Sequence, residues 1–137
     1  MNYEQYKKLM PYDSFLMCQA GLNLPCKSIQ TGQFRNDLVD ILRPHVIYMA
    51  KHHTCNHNGF KNGRASKIMQ ICDGSPMEVV AMHSGISSNP AEAAAMLFKQ
   101  WRGSPGHWRA INSICRYYCY CLGQSGNSYY GIGIVIE

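Results

Sequence analysis

Between Phe34 and His53 the apolar positions recur at helical spacing: Phe34, Leu38, Ile41, Leu42, His45, Val46 and Met49 form one stripe. A stripe of that width predicts a long helix packed on a sheet. Pro44 lies inside it, removing one backbone bond and crowding the preceding turn, so a kink or break is expected near Leu42 to Arg43. Gly59 and Gly63 bound the next loop. Arg64 to Ile71 then reads as a short helix with Ala65, Ile68, Met69 and Cys72 on its buried side, and Asp73-Gly74-Ser75-Pro76 turns the chain. Met77 to Met82 is a short strand. Asn89-Pro90-Ala91-Glu92 is a helix start, with Asn as cap, Pro first and Glu third; the helix runs to Trp101 along a face of Ala93, Met96, Leu97, Gln100 and Trp101.

The last third supplies strands. Arg116 to Leu122 and Ser128 to Ile136 are rich in Tyr, Ile and Val, and Gly123-Gln124-Ser125-Gly126-Asn127 between them has the composition of a hairpin loop. Gly131 and Gly133 clear side chains from one face of the last strand, where a helix or a ligand can approach. Upstream, residues 1 to about 12 read as a short helix and Asp13 to Gly32 as a loop-rich approach. The order of elements predicts an α+β fold: a three-layer α-β-α sandwich with a central, mainly antiparallel sheet, the two long helices on opposite faces. One domain over residues 1–137 is expected, with 1–32 as an N-terminal extension.

Composition narrows the function classes. The chain has 137 residues, 46% hydrophobic, enough for a core, but only 15% charged, so Asn, Ser, Gln, Gly and Tyr must solvate its surface. Lys and Arg are scattered rather than striped, so the net charge of +5 carries no nucleic-acid footprint. No run approaches the roughly twenty residues of a membrane span, and Met1 to Tyr12 lacks the apolar core of a signal peptide. The chain is therefore expected to be either the mature part of a secreted protein or a cytoplasmic, viral or phage product. Seven cysteines make an odd count that leaves at least one thiol unpaired. Spacing allows Cys18 with Cys26, Cys55 with Cys72, or Cys115 with Cys119, while Cys119 and Cys121 share one face of a strand and pack as small apolar groups.

The chemistry centres on two histidines. In Trp101-Arg102-Gly103-Ser104-Pro105-Gly106-His107-Trp108, Ser104 is placed to cap a helix that Pro105 opens, which puts His107 in its first turn. His57 lies in the polar loop Asn56-His57-Asn58-Gly59-Phe60, where a side chain can be aimed into a cleft. Two such histidines can share one metal. His45 reads as a core or helix-end residue, and His52 and His53 as solvated groups at a helix end. The His53/His57 pair lacks the glutamate of a metalloprotease motif.

The order of a His-containing loop, a Glu-bearing strand, a helix ending in W-x-x-S-P-G-H-W, and a hairpin closing on Tyr129-Tyr130-Gly131-Ile132-Gly133-Ile134-Val135 resembles the CAP superfamily of cysteine-rich secretory, antigen 5 and pathogenesis-related 1 proteins. The resemblance runs from about Leu38 to the C-terminus and is nearest to the short bacterial members, with Trp108 where Arg is usual. It implies a central cleft that holds a divalent ion, zinc or another, weakly. The residues carried over are His57 and His107, with Glu78 in place of the family's strand glutamate; Ser104 stands where longer relatives have a second one.

Three functions follow as expectations. The first is a non-enzymatic binding module, in which the cleft and the aromatic surface of Trp101, Trp108, Tyr117, Tyr118, Tyr129 and Tyr130 engage a lipid, glycan or protein partner. The second is a metal-dependent, peptidase-like hydrolase with Glu78 as base or third ligand. The third is a structural scaffold, such as a virion or surface component.

Overall fold

The structure, a computed structural model, describes residues 10–85 and 89–137. The helix expected over residues 1 to about 12 falls largely outside them. In chain order the elements are α1 (Tyr12–Asn23), α2 (Lys27–Thr31), β1 (Gln33–Phe34), a 3-10 turn (Asn36–Leu38), α3 (Val39–His52), a π-helical turn (Phe60–Arg64), α4 (Ala65–Ile71), β2 (Pro76–Ser84), α5 (Pro90–Arg102), α6 (Pro105–Ile111), β3 (Tyr117–Ser125) and β4 (Ser128–Ile136).

The sheet has the order β1-β3-β4-β2. β3 and β4 form an antiparallel hairpin with Ser125 opposite Ser128, and β2 runs antiparallel along the other side of β4, with Val80 opposite Ile132. The two-residue β1 is parallel to its neighbour, β3. Because side chains alternate across a strand, β2 sends Val79 and Ala81 to one face and Val80 to the other, and β3 divides Tyr118 and Tyr120 from Cys119 and Cys121 in the same way. The first face packs under α1, α2, α5 and α6, with Phe15, Met17, Leu97, Phe98, Trp101 and Ile111. The second packs under α3 and α4, with Leu42, Val46, Met49 and Ile68 against Ile132, Ile134 and Ile136. The fold is the expected α+β sandwich, with α3 and α5 on opposite faces of one sheet.

The glycines of β4 belong to the first face. A Cβ at Gly133 would fall within van der Waals distance of the Tyr120 ring, which lies across the gap and donates or accepts a 2.9 Å hydrogen bond with the buried Ser28 hydroxyl. A Cβ at Gly131 would meet Leu97, Met17 and Trp101 at 3.0 to 3.4 Å. Both glycines thus serve close packing of aromatic rings and helices, the first of the two roles their spacing allows.

Several local expectations are corrected. The segment from Asp13 to Gly32 is helical rather than loop-rich: α1 is buried on most of its circumference, through Ser14, Phe15, Leu16, Met17, Cys18, Ala20 and Gly21, so it carries no amphipathic period. α3 runs without a break through Pro44, which sits on its exposed side, where the Asp40 carbonyl that loses its partner can turn to water. Met69 is on the exposed side of α4. On α5 the buried stripe is Ala93, Ala94, Leu97, Phe98 and Trp101, so Phe98 takes the place foreseen for Met96 and Gln100. The hairpin loop contracts to Gly126-Asn127 because Gly126, at φ +59°, supplies the left-handed residue that a two-residue turn needs. All seven cysteines are free thiols, six of them buried and Cys55 exposed.

Candidate functional site

Glu78 occupies an outward backbone position in β2, yet its side chain is only 1% exposed. A carboxylate buried in an apolar strand requires a cationic partner, and Arg64 provides it. The guanidinium holds both oxygens, Nε to Oε2 at 2.7 Å and Nη2 to Oε1 at 2.8 Å, while Nη1 donates to the Asn58 carbonyl at 2.7 Å. Arg64 reaches this position from the last residue of the π-helical turn that follows Gly59, whose φ of +80° reverses the chain beside the guanidinium. His57 completes the cluster with its Nδ1 2.9 Å from Glu78 Oε1. The ring is half exposed, and with Nδ1 engaged, Nε2 is the nitrogen left for a ligand.

His107 is the third residue of α6, in the first turn that Pro105 opens, as its sequence motif implies. Ser104 stands at the N-cap position with extended backbone, but its side chain makes no capping hydrogen bond, so the expected cap is absent. His107 has no hydrogen-bond partner among the described residues. Partial burial, and then the positive charge of His57 nearby, hold its pKa below the usual histidine value. The two imidazoles are therefore electrostatic neighbours. No group of three His, Cys, Asp or Glu side chains placed to hold one ion occurs among the described residues.

Two depressions flank these residues. One, of about 370 Å³, is lined by Val80, Ala81 and Met82 with Cys55, Trp101 and His107. The other, of about 460 Å³, is formed by His57 and the loop from Asn58 to Asn62. Trp101 is fully buried and anchors the first one, donating its indole N–H to the Val80 carbonyl at 3.0 Å and packing edge-on against Phe98. The aromatic surface expected from sequence is much reduced. Trp101, Tyr118, Tyr129 and Tyr130 are core residues, which leaves Trp108, with the Arg102 guanidinium over its ring, and Tyr117, with that of Arg35 over its ring.

This chain is similar in fold to an outer surface protein from Borrelia burgdorferi. The likeness covers 100% of this chain and 96% of that one, with a TM-score of 0.60 and 12% sequence identity, and at that identity it bears on the fold alone. No family model and no curated protein matches the sequence. No helix among the described residues is long and apolar enough to cross a membrane.

Arg64 is the residue that sequence reading missed. Its signal was Glu78 itself, a carboxylate in the apolar run Met77-Glu78-Val79-Val80-Ala81-Met82 that had to be neutralised from elsewhere. His45, read as a core or helix-end residue, is 8% exposed in the middle of α3 and bonds through Nε2 to the Asn56 carbonyl at 2.8 Å, which ties the body of α3 to the loop carrying His57.

Proposed function

We propose that the chain is a non-enzymatic binding module of the kind its resemblance to the CAP superfamily implies, with a divalent ion held weakly by His57 and His107. The observation that carries this reading is the lock on His57. Glu78 fixes the imidazole through Nδ1 and leaves Nε2 available, which is the carboxylate–histidine arrangement that orients a metal ligand. Two imidazoles suit zinc, and bound there it would supply a Lewis acid and a link between the loop after α3 and α6. Glu78 fits as the group that orients His57 and not as a direct ligand, because Arg64 holds both of its oxygens. The same ion pair disfavours the hydrolase: a carboxylate that is 1% exposed and held through both oxygens by a guanidinium lacks the access to activate water.

Calorimetric titration with zinc at pH 7.5 tests the reading. Wild type should bind one ion, and His57→Ala and His107→Ala should each weaken binding by about tenfold or more, in the range known for removing a ligand or its support. Equal binding by all three proteins would remove the site. Zinc-dependent turnover of a casein digest, lost in His107→Ala with folding unchanged, would replace the binding module with the hydrolase.

A further inference from the structure

β2 lies at the border of the sheet, and the backbone groups it presents there follow from the ladder. The two-residue turn makes Ser125 and Ser128 a hydrogen-bonded pair, so every second residue of β4, including Tyr130, Ile132 and Ile134, directs its N–H and C=O to β3. Their partners on β2 are Met82, Val80 and Glu78, which therefore direct theirs away from the sheet. Two bonds agree with this parity. Gly85 donates to the Asn127 carbonyl at 3.1 Å from the inward set, and the Val80 carbonyl accepts from the Trp101 indole, outside the ladder. Among the described residues the Val80 N–H and the N–H and C=O of Met82 have no partner.

Val80, Ala81 and Met82 line the 370 Å³ cleft together with Cys55, Trp101 and His107. An open strand edge is ordinarily blunted by charge, proline or a covering element. Here Val80-Ala81-Met82 carries neither charge nor proline, and although the Trp101 indole covers the Val80 carbonyl, the cleft lies along the remaining groups.

We propose that this edge binds an extended polypeptide segment as an added strand across Val80 to Met82. The occupant is set by hydrogen-bond complementarity. Donors and acceptors alternating at about 3.3 Å per residue are matched by another extended backbone and not by a lipid tail. The register is set as well: with the Val80 carbonyl already bonded to Trp101, the segment exchanges both of its bonds with Met82 and accepts one more from the Val80 N–H. Its side chains alternate between the two faces of the sheet. This inference rests on the binding-module reading of the cleft and names its partner class, but it needs no metal.

The test uses the whole chain as bait for a displayed library of random heptapeptides, followed by synthesis of an enriched peptide. That peptide should slow hydrogen exchange at the Val80 and Met82 amides. N-methylation of its paired residue should weaken binding by about tenfold, as expected when a backbone donor is lost and its acceptor left unsatisfied. Met82→Pro removes the outward N–H without touching the ladder to β4 and should have the same effect; the N-methylated peptide gives the answer on wild type if that variant does not fold. Failure to enrich any peptide, or binding that leaves both amides unprotected, overturns the inference. So does protection of the same amides without peptide that disappears on dilution, since the occupant is then a second copy of the chain. Zinc titration of the same samples separates the two readings: zinc without peptide leaves the ion site and removes strand addition, and peptide without zinc does the reverse.

Discussion

The two histidines of the candidate site are held in opposite ways. His57 comes from a loop, yet its ring is fixed by a chain of charge, Arg64 to Glu78 to Nδ1, most of which is buried. His107 comes from a helix, yet only its backbone is fixed, by Pro105 and the packing of α6, and its ring has no hydrogen-bond partner among the described residues. The rigid element carries the free side chain and the irregular one carries the locked side chain. A site built this way keeps one group preorganised and lets the other adjust to what enters, which suits binding more than chemistry, where both groups would need fixed geometry.

The comparison breaks most sharply at the locked end. Glu78→Gln leaves the Arg64 guanidinium buried beside a neutral amide and should cost about 3 to 5 kcal/mol in urea unfolding, the range for removing one partner of a buried pair. Replacing both partners, with Arg64→Met and Glu78→Leu together, should recover much of that stability while zinc binding stays lost, because nothing then orients His57. Zinc affinity retained in the stable double variant would show that the charge chain serves folding alone. At the other end, Trp101→Ala should cost a similar 3 to 5 kcal/mol, roughly, through lost packing in a filled core. It should also free the Val80 carbonyl.

The layered architecture was legible because its strongest signals are local: the apolar stripe of α3, the Asn89-Pro90 start of α5, and the twin Tyr- and Ile-rich strands around Gly126-Asn127. α1 was not, since a helix buried on most sides shows no period, and its run of Phe15, Leu16, Met17, Cys18 and Ala20 reads alike for any buried element. Within the site, His57 and Glu78 were named and do meet, and His107 was placed in the right turn. Arg64 was invisible, because nothing in Gly63-Arg64-Ala65 distinguishes a buried arginine from a surface one; only the demand made by Glu78 does. The aromatic surface failed for a related reason. Tyrosines on alternating strand positions look the same from either face, and here both faces are covered.

A pH series sharpens the contrast between the histidines. His107 and His45 both have folded pKa values below the ordinary one, for each chiefly because burial disfavours the charged ring. Above about pH 6.5 both states of the chain hold these rings neutral, and below it the unfolded chain binds the proton first, so stability should be full near neutrality and fall as pH drops through the folded values. Thermal unfolding between pH 7.5 and 4.5 should show this loss, and His45→Gln and His107→Gln should each flatten it. A profile unchanged in both variants would mean that other groups set the acid limit.

The smallest effect tests the device that fixes His107. Asn89-Pro90 and Ser104-Pro105 look alike in sequence, a capping residue followed by proline, and both open helices. Only one caps: Asn89 Oδ1 accepts from the Ala91 N–H at 2.9 Å, whereas the Ser104 hydroxyl makes no such bond. Asn89→Ala should therefore cost about 1 kcal/mol and Ser104→Ala no more than a few tenths, although an N-cap rule applied to sequence alone assigns both the same loss. Ser104 also lines the 370 Å³ cleft, so its substitution should register in peptide binding before it registers in stability. A Ser104→Ala cost equal to that of Asn89→Ala would mean that the hydroxyl caps α6 in solution, and the turn that carries His107 would then be as firmly capped as the start of α5.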